Sequence, residues 1–154
     1  MSSVRIAAAA LTIPFALATA QAPVTEKLGS VHFSTSCRAI LAAQFDRAVA
    51  LLHSFEFGES IRAFNAVFAA DSNCAMAQWG IALSRWGNPM AAGLRSAEQL
   101  KPGRQAVDVA LRLAPGATDR ERGYVRAVSQ LYDDVEHRNQ AERVTGYEHA
   151  MGDL

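Results

Sequence analysis

The strongest constraint on this chain is a helical stripe written three times. Phe45, Ala48, Val49 and Leu52 stand at i, i+3, i+4 and i+7. Trp79, Ala82, Leu83 and Trp86 repeat that spacing, and Tyr124, Ala127, Val128 and Leu131 repeat it again. Residues at those intervals share one face of an α-helix, so each quartet is an apolar stripe headed by an aromatic ring. A second pattern alternates with the first: Phe64, Val67 and Phe68, then Val107, Ala110 and Leu111, then Tyr147, Ala150 and Met151. Here a large residue is followed by a smaller one at i+3 and a large one at i+4. Two kinds of helix alternating three times predict an all-α fold of stacked antiparallel helix hairpins, about three units of a short α-solenoid. Apolar and polar residues seldom alternate for long, so no strand is expected.

Turn chemistry sets the expected boundaries. Ser34-Thr35-Ser36 is expected to cap a first helix over 37–55, and Gly58 to divide it from a second over 59–70. Asp71-Ser72-Asn73 stops that helix and caps a third over 74–86, which Gly87-Asn88-Pro89 ends. The stretch 90–101 reads as a longer connection with at most a short helical turn. The fourth helix is expected to begin at Pro102 or Gly103 and run to Ala114, because proline is tolerated in a first turn. Thr118-Asp119-Arg120-Glu121 is a capping box opening a fifth helix that ends near Asp133-Asp134. A sixth covers 139–152.

Residues 1–20 read as a signal peptide: Arg5 ahead of an apolar run, then Ala18-Thr19-Ala20 as a small-x-small cleavage site before Gln21. The run is short and broken by Pro14, which disfavours a permanent membrane span. The expected organisation is therefore signal peptide 1–20, an irregular leader 21–36 over the first hairpin, and a helical repeat domain 37–154, exported to the periplasm or beyond. Fifteen basic residues balance fifteen acidic ones, so the chain lacks the concentrated basic surface that nucleic acid or an anionic membrane requires. The two cysteines, Cys37 and Cys74, fall in the expected first turns of successive parallel helices. In an exported chain that placement predicts a disulfide between them; two small buried thiols are the alternative.

Helix pairs on this scale resemble tetratricopeptide repeats, whose helix–turn–helix unit is 34 residues long. Ala48 to Ala82 spans 34 positions, whereas Ala82 to Ala127 spans 45, so the second unit carries an insertion around 87–101. Phe45, Trp79 and Tyr124 look like the family's early aromatic in the first helix, with Ala48, Ala82 and Ala127 at a small position. Phe64, Val107 and Tyr147 look like its bulky residue in the second helix, followed by Val67, Ala110 and Ala150. Pro115 resembles the proline that closes a unit, although Ser72 stands where another would be expected. The family's small residue at the close approach of the paired helices is not evident. His32 to Cys37, Leu51 to Phe55 and Cys74 to Leu83 resemble the opening of exported bacterial proteins of this type. The resemblance implies a non-enzymatic module that binds a protein or peptide along the groove lined by the first helix of each unit. Asp46, His53, Ser84, Asn88, Ser129 and Asp133, one or two positions round from the apolar stripes, are nominated as that partner-binding surface. The C-terminal end shows no obvious polar cap, which would allow self-association.

Catalytic signatures are absent: no glycine-rich phosphate loop, no G-x-S-x-G, no H-E-x-x-H and no C-x-x-C. Asp133, Asp134 and Glu136 read as a solvated turn. The competing function is periplasmic copper or zinc binding through His32, His53, Cys37, Cys74 and Met76, which are soft or borderline ligands without compact spacing. No metal or cofactor is assigned on that basis. A third reading is a structural piece of a longer repeat protein. Trp79 and Trp86 share a face with Ala82 and Leu83 and are expected in the core rather than on a ligand platform.

Overall fold

The computed structural model describes residues 28–88 and 93–154. The expected signal segment and the start of the leader lie outside them, as do residues 89–92. All regular structure among the described residues is helical: α1 (Ala42–His53), α2 (Phe57–Ala70), α3 (Ala75–Trp86), α4 (Ala97–Leu113), α5 (Asp119–Gln130) and α6 (Gln140–Gly152), with 3-10 turns at Ala39–Leu41 and Ala114–Gly116.

The helices pair in chain order as three hairpins, α1 with α2, α3 with α4 and α5 with α6. The odd helices lie side by side, α1 on α3 and α3 on α5, while α2 also reaches α3 and α4 also reaches α5. Each of α1 to α5 thus packs within its own hairpin and against an adjoining one, while α6 packs on α5, the all-α stacked arrangement that the alternating stripes demand. The stripes are the core: Phe45, Ala48 and Val49, then Ala82 and Trp86, then Ala127, Val128 and Leu131 are all buried. Trp79 and Trp86 are each 5% exposed, as core residues should be. α3 is the central helix, and Ala75 to Ala82 are buried without a break. A helix covered on every side is apolar all round instead of striped.

Two glycines set how closely the helices approach. A Cβ on Gly80 of α3 would fall within the ring of Phe64 of α2, and one on Gly103 of α4 would collide with Tyr132. Gly80 thus sets the close approach of α3 to α2, the second helix of the preceding hairpin. The phenol of Tyr132 continues past Gly103 to donate to the Ala82 carbonyl at 2.6 Å, tying the end of the third hairpin's first helix to α3.

Two helix starts depart most from expectation. α4 starts at Ala97, five residues before Pro102, because Ser96 and Gln99 form a capping box. Pro102 lies inside that helix, where it costs the N–H that would have bonded one turn back. Ser34-Thr35-Ser36 caps no helix; α1 is entered through the turn at Ala39–Leu41 with no side-chain cap. Cys37 therefore precedes the first helix instead of sitting in it, yet it is joined to Cys74 with Cα atoms 4.8 Å apart. The bond closes a sequence separation of 37, worth about 4 kcal/mol by loop entropy.

Candidate functional site

The odd helices run parallel, so their N-termini gather at one end of a shared face and their C-termini at the other. The leader occupies the first half. Phe33 places its ring 5.8 Å from Phe45 of α1, 5.5 Å from Trp79 of α3 and 5.5 Å from Tyr124 of α5. Its backbone N–H donates to Asp46 at 2.8 Å. The Ser36 N–H donates to Glu121 across 85 residues at 2.7 Å, and Arg120 donates to the Ser34 carbonyl while lying over the Phe33 ring. The leader is therefore a strap across all three hairpins, not a cover for the first alone.

Glu121 is fully buried at the strap's far anchor. Burial works to raise its carboxyl, but donors from Ser36 and from the backbone and hydroxyl of Thr118 hold it below the ordinary 4.5. The same carboxylate that closes the α5 capping box also holds the strap.

The second half of the face is open. A cavity of about 270 Å³ lies between Leu52 at the end of α1, Leu83 and Trp86 at the end of α3, Leu131 just past α5, and Val144 and Tyr147 in the first turns of α6. Phe55 and Phe57 form one wall; His53, Arg95 and Gln140 supply the polar rim. Its size is just below the roughly 300–1,000 Å³ of drug-sized ligand sites, which leaves room for one or two side chains. Burial, with Tyr124 nearby, pushes the Tyr147 phenol up, so it stands in the cavity as a neutral hydrogen-bonding group.

Phe55 has the features of a residue kept for contact. It follows the C-cap of α1 at φ +63°, in a turn where Glu56 N–H bonds the Leu51 carbonyl and Phe55 N–H bonds that of Leu52. That left-handed position suits glycine or asparagine, and a bulky residue there is strained. Yet Phe55 is an aromatic, 57% exposed, with its ring edge-on to Phe57 at 5.9 Å. Strain spent on an exposed ring at a cavity wall is the pattern of a functional site.

Arg95 is held as firmly as a core residue. Its Nε donates to the Trp86 carbonyl at 2.8 Å, its Nη2 to the Asn88 carbonyl at 3.0 Å, and its guanidinium lies 4.4 Å from the Trp86 ring centroid. Its backbone N–H donates to Gln140 of α6 at 2.9 Å. No Asp or Glu is among the residues lining the cavity.

The six nominated groove residues do not form one surface. His53 lines the cavity. Asn88 touches the site through its carbonyl, which accepts from Arg95. Asp46 is taken up by the strap, accepting from Phe33 with His32 at 3.5 Å. Ser84 is a correction: it is 3% exposed, its Oγ donating to the Gly80 carbonyl at 2.8 Å and meeting Ser60 Oγ at 2.9 Å. Ser129 donates to the Arg126 carbonyl of its own helix at 2.7 Å. Asp133 lies in the exposed turn after α5 and pairs with Arg138 at 2.5 Å. Sequence reasoning missed Phe55 and Arg95.

No family model, curated protein or solved structure matches this chain. Among the described residues no helix is long and apolar enough to cross a membrane. No three His, Cys, Asp or Glu side chains converge there, and the cysteines of the alternative metal set are bonded to each other. The exposed residues of α6 include the polar Glu142, Thr145, Glu148 and His149 together with Ala141 and Val144.

Proposed function

We propose that this is an exported, non-enzymatic interaction module of tetratricopeptide type, which holds a segment of a peptide or protein partner in the cavity at the C-terminal ends of the odd helices. The observation that carries the reading is the cavity itself: apolar walls drawn from all three hairpins, a strained exposed phenylalanine and a fixed cation. Export is supported by the disulfide, which persists in oxidising compartments, and by the signal-like first twenty residues. The strap leaves this half of the odd-helix face as the part that can take a partner.

The test is a selection of random dodecapeptides displayed on phage against the immobilised, disulfide-bonded chain. The reading expects an enriched family carrying a bulky apolar residue, with binding weakened at least tenfold by Phe55→Asp. That exposed position can change without disturbing the core. No enriched family, or one indifferent to Phe55→Asp, would remove the reading.

A further inference from the structure

Resting on that reading, we propose that the cavity's partner segment carries an acidic side chain beside its bulky apolar one: the apolar group enters between Leu83, Trp86 and Tyr147, and the carboxylate sits on Arg95. Charge complementarity carries the assignment. Among the described residues the Arg95 guanidinium makes two hydrogen bonds, both to carbonyls, and its Nη1 makes none. A guanidinium offers five donors in a planar fork suited to a carboxylate. This fork is already fixed over Trp86, so little side-chain freedom remains to be lost on binding.

A second cation points the same way. Arg143 stands one turn from both Gln140 and Tyr147 of α6, next to the lining residues without being one of them. It is 3% exposed, and its Nε has no hydrogen-bond partner among the described residues. Burial, then the nearby Arg138, holds it below the ordinary arginine range, as expected for an uncompensated buried charge. Arg95 on the cavity rim and Arg143 in the adjoining turn of α6, neither with a carboxylate partner among the described residues, leave an anion as the missing complement at the rim. The cavity admits one or two side chains, so adjacent acidic and apolar residues on one segment satisfy both features together.

The dodecapeptide selection tests this through the composition of what it enriches. The proposal expects Asp or Glu within two positions of the bulky apolar residue at least threefold above its frequency in the library. Synthetic Glu-to-Gln versions of the winners should bind at least tenfold more weakly. Selection on Arg95→Gln should keep the apolar preference and lose the acidic one. Arg95→Lys, which keeps the charge, should retain part of it and guards against a merely misplaced 93–96 segment. A purely apolar consensus on the wild-type chain overturns the proposal while leaving the interaction module standing; no consensus overturns both. If octanoate saturates a change in tryptophan fluorescence while no peptide is enriched, the occupant is a free amphiphilic carboxylate and the peptide assignment falls.

Discussion

The ring of Phe33 lies 5.5 Å from the indole of Trp79 and is inclined to it by 30°. Through that contact a segment with no regular structure becomes part of the core of a helical stack, for the same ring also meets α1 and α5. The odd-helix face is thereby divided between a half filled by the chain's own leader and a half left as a cavity.

Phe33→Ala should destabilise the fold by about 2–3 kcal/mol, somewhat under the loss for a fully buried phenylalanine. Ile40→Ala, at a residue 78% exposed close by, should change stability by less than about 0.5 kcal/mol. Urea unfolding of the two variants checks the difference. Equal, small losses would mean the strap is not docked.

Gly80→Ala inserts a methyl group where Phe64 already stands. Overpacking of this kind should cost about 2–3 kcal/mol, and adding Phe64→Leu should recover a substantial part of it. Thermal unfolding of the single and double variants measures that coupling; strictly additive losses would contradict the close approach.

Phe55→Asn should move stability the other way. Asparagine tolerates the left-handed backbone that Phe55 is forced to adopt, and the exposed ring contributes little burial, so a gain of about 0.5–1 kcal/mol is expected. The same variant should bind selected peptides less well. Stability and binding falling together would argue against strain kept for function.

The Glu121 carboxyl is held below its ordinary value, so its contribution is whole above about pH 4.5 and is lost as pH falls through the lowered value. Wild-type stability should therefore drop between pH 5 and the acid limit more steeply than that of Glu121→Gln. Urea midpoints for both, measured across that range, give the comparison. Parallel curves would show that this carboxylate does not anchor the strap.

How much of this was legible in the sequence depends on how local each cause is. The stripes from Phe45, Trp79 and Tyr124 are periodic, so the helices, their pairing and the meeting of Cys37 with Cys74 could be read directly. The Thr118–Glu121 box was visible because glutamate follows threonine at the standard offset. The Ser96–Gln99 box is masked in the sequence by Pro102, which as a first-turn residue points to a helix start five residues too late. Ser84 read as a groove residue because its type is polar; its partner Ser60 comes from another helix, and no pattern within α3 announces it. Glu121 and Ser36 are 85 residues apart, so the second duty of that carboxylate had no sequence signal. Phe55 did carry one: an aromatic in the position after a helix where glycine or asparagine is usual.

The measurement that bears most directly on the central claim is the indole N–H spectrum of the chain's two tryptophans during titration with the blocked dipeptide N-acetyl-Glu-Leu-amide, and with its Gln-Leu counterpart. The Trp86 resonance should move with the Glu-Leu probe and at least threefold less with Gln-Leu. Trp79, beneath Phe33, should stay in place. Movement of Trp79 instead, equal response to the two probes, or no response at all would contradict that claim.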